Sequence, residues 1–450
     1  MTDQTLHDIV ELLRAAPASG SFATHGTLPV PLTVEVDGVG TLASPVPPEQ
    51  ARRLRALAGP ARFGRGEQTL LDPAVRDTWK VPLDRVRVDD GGALAAVLDT
   101  VRAELGLPAE CALRAEPHSL LVYEPGQFFA RHRDSEKADG MLGTLVLTLP
   151  TACTGGELVI EHGDRRLRTG SAPDALGYVA FYADCEHEVL PVTDGHRIAL
   201  TYNLIATGGT RPAGPSTVPQ LAAALRTHLG TPVPLPHWRR DQGRAEQPPR
   251  RLVYLLDHQY SQRGLGWDLL KGTDAATAAA LGAAAADAGF DVALALAEVA
   301  HYHRTDAFEF ELAMIGRHRR WEFADGEWTV VADEWESPDG DEDLADLVGE
   351  AGDRTATDHP DANTEGLGEP EDPDTTLTWW LAADGTGTAV EERVHDEELC
   401  CTKPTWALQP HAYAATGYTG NDGDTIERWY RRAAVVVHPA EKNSTAPEAD

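Results

Sequence analysis

The chain has 450 residues, of which 42% are hydrophobic, and a formal net charge of −32. This length exceeds what one compact core accommodates, so two or three domains are expected. The negative charge repels polyphosphate backbones, which argues against a nucleic-acid partner. No apolar run is long enough to span a bilayer, and the first residues lack a signal-peptide pattern. A cytoplasmic protein with no membrane partner is therefore predicted.

Residues 1–117 are predicted to form a helix-rich region that packs on the domain after it. Apolar residues at helical spacing predict a helix over Leu6–Ala15. Further helices are predicted from Pro48 to Leu57 and from Gly92 to Leu105, where Pro and Gly mark the ends.

Residues 118–205 change to short apolar segments separated by turns that contain Gly, Pro or Asp. About eight short strands at this spacing are typical of a jelly roll, or double-stranded β-helix, in which two antiparallel sheets face each other. The predicted fold class is α+β: a jelly-roll core with flanking N-terminal helices and a separate C-terminal α/β region. The strands are predicted at His118–Glu124, Phe128–Asp134, Leu142–Leu149, Glu157–His162, Arg165–Arg168, Tyr178–Tyr182, Glu186–Leu190 and Arg197–Leu204.

Four segments follow this core: a linker with one short helix, a C-terminal α+β region in two parts, an acidic insert between those parts, and a tail. The linker covers residues 206–250, and the two parts of the C-terminal region cover 251–332 and 375–440. The acidic insert covers 333–374 and the tail 441–450. The acidic insert has too few apolar residues to offset its ordering entropy and is expected to be disordered. It could dock a basic partner, although a solvating loop is the simpler explanation of its composition.

The segment from Tyr123 to Asp134 carries the pattern with chemical meaning. Residues two apart on a strand project to the same face, so His132 and Asp134 can chelate one ion. His187, on a later predicted strand, is the expected third ligand. Two imidazoles and one carboxylate on one face of an octahedral ion form the facial triad of Fe(II) oxygenases. A metal site at His132, Asp134 and His187 is therefore predicted.

Arg197 lies one predicted strand after His187. A guanidinium that points into the barrel can bind a carboxylate through two parallel hydrogen bonds. The distal carboxylate of 2-oxoglutarate is the predicted partner of Arg197, with Tyr123 or Thr148 adding a hydroxyl. His132, Asp134, His187 and Arg197 are thus the predicted catalytic residues.

Residues from about Ser119 to Leu204 resemble the catalytic domain of the prolyl 4-hydroxylase-like family of 2-oxoglutarate/Fe(II) dioxygenases. Other stretches resemble larger bacterial and fungal members of this family, whose substrates are unassigned. The stretches that resemble the prolyl 4-hydroxylase-like catalytic domain are Tyr123–Phe129 with His132–Asp134, Gly155–Leu158, Phe181–Val189 and Gly195–Tyr202. The stretches that resemble the larger bacterial and fungal members are Phe63–Glu67, His132–Lys137 and Thr419–Gly423.

This resemblance implies Fe(II), 2-oxoglutarate and O₂ as cofactor and co-substrates, with ascorbate as an additional candidate. It also implies hydroxylation of a C–H bond with release of succinate and CO₂. A peptide or protein side chain such as proline is the implied substrate, and a small molecule is the alternative because a fold does not fix a substrate. By the same analogy, Tyr123 borders the 2-oxoglutarate pocket.

Three other functions remain open. A nucleic-acid demethylase of the same superfamily would carry a second Arg where Asn203 stands. A zinc hydrolase would need a general base beside the metal, and strand alternation turns Glu186 and Glu188 away from the face of His187. The third is a non-catalytic binding or scaffold protein with a relic jelly roll, which the intact set of ligands argues against.

Two further features lie in the C-terminal region. His301 and His303, with Asp306, repeat the two-residue spacing but lack a third ligand, so they are interpreted as ordinary polar residues of a strand. The region as a whole is expected to contribute to substrate selection by bordering the mouth of the site.

Overall fold

The computed structural model describes most of the chain from residue 2 to residue 440. The described residues are 2–15, 20–28, 32–65, 68–134, 136–163, 165–208, 217–233, 246–305, 320–324, 327–332, 371–382, 384–403, 412–416 and 424–440. Most of the predicted acidic insert, Asp306 and the tail at 441–450 lie outside them.

Within these residues the fold is mixed α and β, with mostly strands and few helices. The helices are α1 (Thr2–Arg14), α2 (Pro48–Leu57), α3 (Ala93–Glu104), α4 (Val218–Gly230) and α5 (Gly272–Ala288), with short 3₁₀ helices at Leu83–Arg85 and Asp396–Glu398. None of the helices in the described part of the chain is long and apolar enough to cross a membrane.

The strands of the first half are β1 (Ala23–Thr27), β2 (Thr33–Val36), β3 (Gly40–Thr41), β4 (Gly59–Pro60), β5 (Phe63–Arg65), β6 (Gln68–Leu70), β7 (Arg76–Asp77), β8 (Trp79–Val81), β9 (Val86–Asp89), β10 (Ala112–Tyr123), β11 (Phe128–His132), β12 (Met141–Thr148), β13 (Cys153–Gly155), β14 (Leu158–His162), β15 (Arg165–Thr169), β16 (Gly177–Tyr182), β17 (Glu186–Val189), β18 (Val192–Gly195) and β19 (Arg197–Thr207). Those of the second half are β20 (Leu252–Leu255), β21 (Phe290–Thr305), β22 (Arg320–Ala324), β23 (Glu327–Ala332), β24 (Glu371–Leu381), β25 (Gly387–Val394), β26 (Leu399–Cys401), β27 (Ala412–Thr416) and β28 (Asp424–Pro439).

Two antiparallel sheets enclose the first hydrophobic core. Their strand orders are β1-β16-β12-β19-β10-β8-β4 and β15-β14-β17-β11-β7. Apolar side chains from both sheets, such as Leu145 and Leu147 of β12 and Ile160 of β14, belong to one buried cluster. All eight strands predicted between 118 and 205 are present, and the structure adds β13 and β18, which pair with each other in a separate two-stranded sheet.

The N-terminal region is part of these sheets and is not mainly helical, so the prediction of a helix-rich layer is corrected. Strands β1, β4 and β8 extend the first sheet and β7 extends the second. The helices α2 and α3 pack on the same core through residues such as Leu54 and Val97. The predicted helix at Leu6–Ala15 exists as α1, but its buried residues Ile9 and Leu13 pack in a second cluster with α4 and the C-terminal sheet.

A separate sheet forms the C-terminal region, in the order β25-β24-β21-β28-β20-β26, with β27 also pairing with β28. One face is covered by α1, α4 and α5, and the small buried alanines of α5 allow close packing there. The expected linker 206–250 therefore contains a packed helix, because Leu221 and Leu225 of α4 are fully buried. Strand β24 begins at Glu371, so the predicted insert ends four residues too late.

A buried polar network joins the C-terminal region to the first core at the turn between β16 and β17. Asp184 in that turn accepts from Lys271 Nζ at 3.0 Å and from His258 Nδ1 at 2.9 Å. The side chains of Lys271 and Asp184 are only 2% and 6% exposed. Burial alone would raise the pKa of Asp184, but Lys271 and His258 hold it well below its usual range.

Removing one partner of this ion pair should destabilise the protein strongly. Lys271→Met leaves the Asp184 carboxylate buried without its main counter-charge, which costs about 3–5 kcal/mol of the free energy of unfolding. Chemical denaturation measures this loss. The matched control is Lys403→Met: Lys403 forms a more exposed ion pair with Asp257, so its removal should cost about 1 kcal/mol or less. Equal losses in the two variants would contradict the structural importance of the buried pair.

Candidate metal centre

The pairing of β11 with β17 brings two imidazoles together. His132, the last residue of β11, lies directly opposite His187 of β17 in the antiparallel register. Their ring centroids are 4.1 Å apart. Asp134 follows two residues after His132, beyond the end of the strand, and its Oδ2 is 3.7 Å from His187 Nε2. One donor atom from each of the three side chains lies within 4.8 Å of the others.

Hydrogen bonds orient both imidazoles in the same way. The Nδ1 atom of His132 lies 2.8 Å from the carbonyl oxygen of Ala130, and Nδ1 of His187 lies 3.1 Å from that of Cys185. A carbonyl can only accept, so each Nδ1 carries a proton, and Nε2 is the atom that a neutral ring would offer to a metal ion. Such a bond to the second ring nitrogen is the usual support of a metal-binding histidine.

The electrostatics keep the carboxyl group ionised and the imidazole of His132 neutral. Burial and the neighbouring His187 lower the pKa of His132 well below its usual value. Burial alone would raise the pKa of Asp134, but the two imidazoles and a hydrogen bond donated by the Thr144 hydroxyl lower it to about 2. Neutral imidazoles and an anionic carboxylate are the forms that bind a metal ion.

Arg197 is a buried cation in the same cavity. Its side chain is 3% exposed, and its guanidinium lies 5.4 Å from the ring centroid of Tyr123. Among the described residues it forms no hydrogen bond or ion pair. Gly156, at φ +67°, allows this placement, because a Cβ there would lie 3.1 Å from Arg197 Cδ. A buried guanidinium without a counter-ion is the arrangement expected where an anionic ligand binds.

A cavity of about 640 Å³ connects these groups. Five of the candidate site residues named from the sequence lie in its wall: His132, Asp134, His187, Arg197 and Tyr123. Thr148 is buried but is absent from the described lining, where Thr144 of the same strand takes part instead. None of the described lining residues comes from beyond Asn203, so the expectation that the C-terminal region borders this cavity finds no support.

Sequence reasoning missed a group of basic residues in the cavity wall. Arg76, Lys80, His118 and Lys137 all line it. Arg76 stacks on Phe129, with its guanidinium 4.3 Å from the ring centroid, and Phe129 in turn stacks on His132. No local pattern in the sequence marks these residues, because they come from β7, β8, β10 and a loop.

The other clusters of potential ligands have different surroundings. His162, Asp184 and His258 also lie close together. Lys271 already forms an ion pair with the Asp184 carboxylate, however, and its positive charge would repel a metal cation. The side chains of His301 and His303 are buried with ring centroids 6.3 Å apart, and Asp306 lies outside the described residues.

Comparison with known proteins gives a family for the segment that holds the site. Residues 118–205, about a fifth of the chain, match the model of the 2OG-Fe(II) oxygenase superfamily. No curated protein gives a significant match to the sequence.

Among solved structures, a prolyl-4-hydroxylase from Pseudomonas putida is 20% identical; the alignment covers 44% of this chain and 98% of that one, with a TM-score of 0.27. A prolyl hydroxylase from Trichoplax adhaerens, solved with a peptide fragment of the hypoxia inducible factor oxygen degradation domain, is 15% identical over 45% of this chain and 90% of its own, with a TM-score of 0.29. A 2OG-Fe(II) oxygenase family oxidoreductase from Burkholderia pseudomallei is 17% identical over 46% and 94%, with a TM-score of 0.23.

The pKa of His118 tests whether its side chain lies close to Lys80 and Lys137 in the cavity wall. Burial, followed by the charges of Lys137 and Lys80, lowers its pKa from 6.5 to about 4. The unfolded chain takes up this proton near pH 6.5, so the contribution of His118 to stability is present above that pH and is lost as the pH falls towards 4. A proton NMR titration of the imidazole should give half-protonation near pH 4. His118→Gln should reduce the change in the free energy of unfolding between pH 4 and pH 6.5. A titration midpoint of the His118 imidazole at or above pH 6.5 would contradict its placement beside Lys80 and Lys137.

Proposed function

We propose that this protein is a 2-oxoglutarate- and Fe(II)-dependent oxygenase that hydroxylates a C–H bond and releases succinate and CO₂. The observation that carries the proposal is the convergence of two Nε2 atoms and one carboxylate on one point of a cavity that also contains a buried cation without a counter-ion. The match of residues 118–205 to the oxygenase superfamily supports it. The two facing sheets are, in this proposal, the jelly roll of that fold.

The donor set fits Fe(II). His132, Asp134 and His187 would hold the ion with three protein ligands, which leaves coordination positions for a bidentate co-substrate and O₂. When bound, the iron supplies the activation of O₂ and the oxidation of the C–H bond. Arg197 is the proposed partner of the distal carboxylate of 2-oxoglutarate, with the Tyr123 ring beside it.

The residues of the chain contribute orientation and a shielded environment. The carbonyls of Ala130 and Cys185 fix the imidazole planes, and Thr144 fixes the carboxylate. The apolar side chains of Leu158, Phe181 and Val189 line the cavity and limit the access of water to the reacting groups.

The alternatives predicted from the sequence have less support. A zinc hydrolase needs a second carboxylate as general base, yet Asp134 is the only acidic residue in the described lining, and Glu186 is paired with Arg133 instead. A relic barrel would have no reason to retain three oriented donors and Arg197. A peptide or protein side chain such as proline stays a prediction from family resemblance, as does ascorbate as an additional reductant.

Anaerobic titration with Fe(II) and 2-oxoglutarate tests the metal site. The wild-type protein should develop a metal-to-ligand charge-transfer band, because 2-oxoglutarate chelates the bound iron. Asp134→Ala should abolish this band, since the only anionic protein ligand is lost. The control Arg168→Gln changes an exposed residue and should leave the band unchanged. An undiminished band in Asp134→Ala would refute the ligand assignment.

Substitution of Arg197 separates binding of the co-substrate from binding of the metal. Arg197→Gln removes charge-assisted hydrogen bonds of about 1.5–3 kcal/mol, so the dissociation constant of 2-oxoglutarate should rise by about 10- to 100-fold. Iron content after dialysis should stay at the wild-type level. Unchanged affinity for 2-oxoglutarate would remove the proposed role of Arg197.

A further inference from the structure

The cavity is strongly basic although the chain is strongly acidic. Six arginine or lysine side chains line it, against Asp134 as the one acidic residue of the described lining. The chain as a whole carries a net charge of −32. The six are Arg62, Arg76, Lys80, Arg133, Lys137 and Arg197. In the proposed function, Arg197 binds the distal carboxylate of 2-oxoglutarate. The other five cations of the lining are more than the binding of 2-oxoglutarate needs.

The protein offsets only part of the surplus charge: Asp134 attracts Arg76, whose side chain is also hydrogen-bonded to Tyr123. Arg133 is paired with Glu186, but Arg62, Arg76, Lys80 and Lys137 form no ion pair with any acidic residue in the described ranges. The Nε atom of Arg76 is buried and has no hydrogen-bond partner there. Unpaired cations held close together destabilise one another, and a bound anion would relieve that repulsion.

These residues are neighbours in one part of the wall, which we call the basic wall: Arg76, Lys80, His118 and Lys137. Lys137 Nζ lies 3.2 Å from His118 Nε2. Burial lowers the pKa of Lys80, and the charges of Arg76 and Lys137 lower it further, as expected for cations that face each other.

Lys80, His118 and Lys137 are well separated from Arg197 along the sheet, whereas Arg76 lies beside Tyr123, to which its side chain is hydrogen-bonded. Arg197 is paired with Tyr123 in the β10–β19 ladder, and Ser119, the neighbour of His118, is paired with Thr201. These two pairs are four residues apart, or about 13 Å at the rise of an antiparallel strand. Asp134 is hydrogen-bonded to Thr144, which is paired with Asn203 at the same end of the sheet as His118. An anion near His118 is therefore a different ligand from the distal carboxylate at Arg197.

We infer that the substrate oxidised at this site is a compact organic anion, with a carboxylate or phosphate group held by Lys80 and Lys137 beside His118. This inference rests on the proposed function, because it assigns the charged wall to the substrate of that reaction. A compact molecule is favoured over a polyanion, since a nucleic-acid strand that extends beyond the cavity would meet the net negative charge of the remaining chain.

The test is a binding experiment on the full chain under anaerobic conditions with Fe(II) and saturating 2-oxoglutarate. Benzoate and its neutral analogue benzamide are titrated by calorimetry, together with phenylphosphonate. The charge-transfer band is recorded in parallel to show that 2-oxoglutarate stays bound. We expect benzoate or phenylphosphonate to bind at least tenfold more tightly than benzamide. A preference for benzoate assigns a carboxylate substrate, and a preference for phenylphosphonate assigns a phosphate ester.

The variants connect this selectivity to the basic wall. Lys80→Met with Lys137→Met should weaken binding of the preferred anion at least tenfold, while the affinity for 2-oxoglutarate changes less than twofold. The control Lys403→Met lies outside the lining and should keep wild-type binding of both. The retained charge-transfer band shows that the double variant is folded.

Four results would overturn the inference. Two concern the anions: equal binding of benzamide and the anions, or undiminished anion binding in the double variant. The other two are displacement of 2-oxoglutarate by the anion, and lysine-dependent binding of a single-stranded oligothymidylate that is tighter than that of the small anions. The last result would point to a nucleic-acid substrate. A missing charge-transfer band in the wild-type protein refutes the oxygenase itself, whereas an intact band without selectivity for anions refutes only the acidic substrate.

Discussion

The antiparallel pairing of β11 with β17 is the constraint on which the site depends. It places His132 directly opposite His187, so two strands that are far apart in sequence deliver two imidazoles to one point. The chain then leaves the sheet after His132, and the carboxylate of Asp134 reaches the same point from the following loop. Carbonyl acceptors on both Nδ1 atoms complete the arrangement, because they leave Nε2 of each ring as the atom available to a metal ion.

Charge is distributed very unevenly between the surface and the cavity. A chain with a net charge of −32 encloses a cavity whose described lining has six basic side chains and one acidic one. Arg197 is buried, where a low local dielectric strengthens its field, whereas Arg62 and Lys137 are exposed. In the inference drawn above, the basic wall binds a small anion, while the net charge of the whole chain disfavours a long polyanion.

The sequence predicted the elements whose signal is local. Strand alternation and turn residues located the eight strands between 118 and 205, and the two-residue spacing identified His132 and Asp134. The basic wall could not be predicted in this way, since Lys80 approaches His118 only when β8 pairs with β10, and Arg76 enters the cavity wall only when β7 pairs with β11. The sequence analysis named Thr148 and did not consider Thr144, which lies on the same strand; the register with β19 decides which of them reaches the cavity. The sequence predicted that α1 packs on the following domain, whereas α1 packs with α4 and the C-terminal sheet. Its apolar stripe predicts that one face is buried but not which surface that face covers.

The contribution of N-terminal strands to both sheets has a consequence for the boundaries of the catalytic unit. Strand β1 covers the outer edge of β16, β8 covers the outer edge of β10, and β7 covers the outer edge of β11, the strand that ends in His132. An excised segment 118–205 would expose these three edges, with unpaired amide and carbonyl groups that can pair with other chains. The stretch that is recognisable by sequence is thus shorter than the stretch that must fold together, and transfer of this segment to another protein would have to include the three strands that cover its edges.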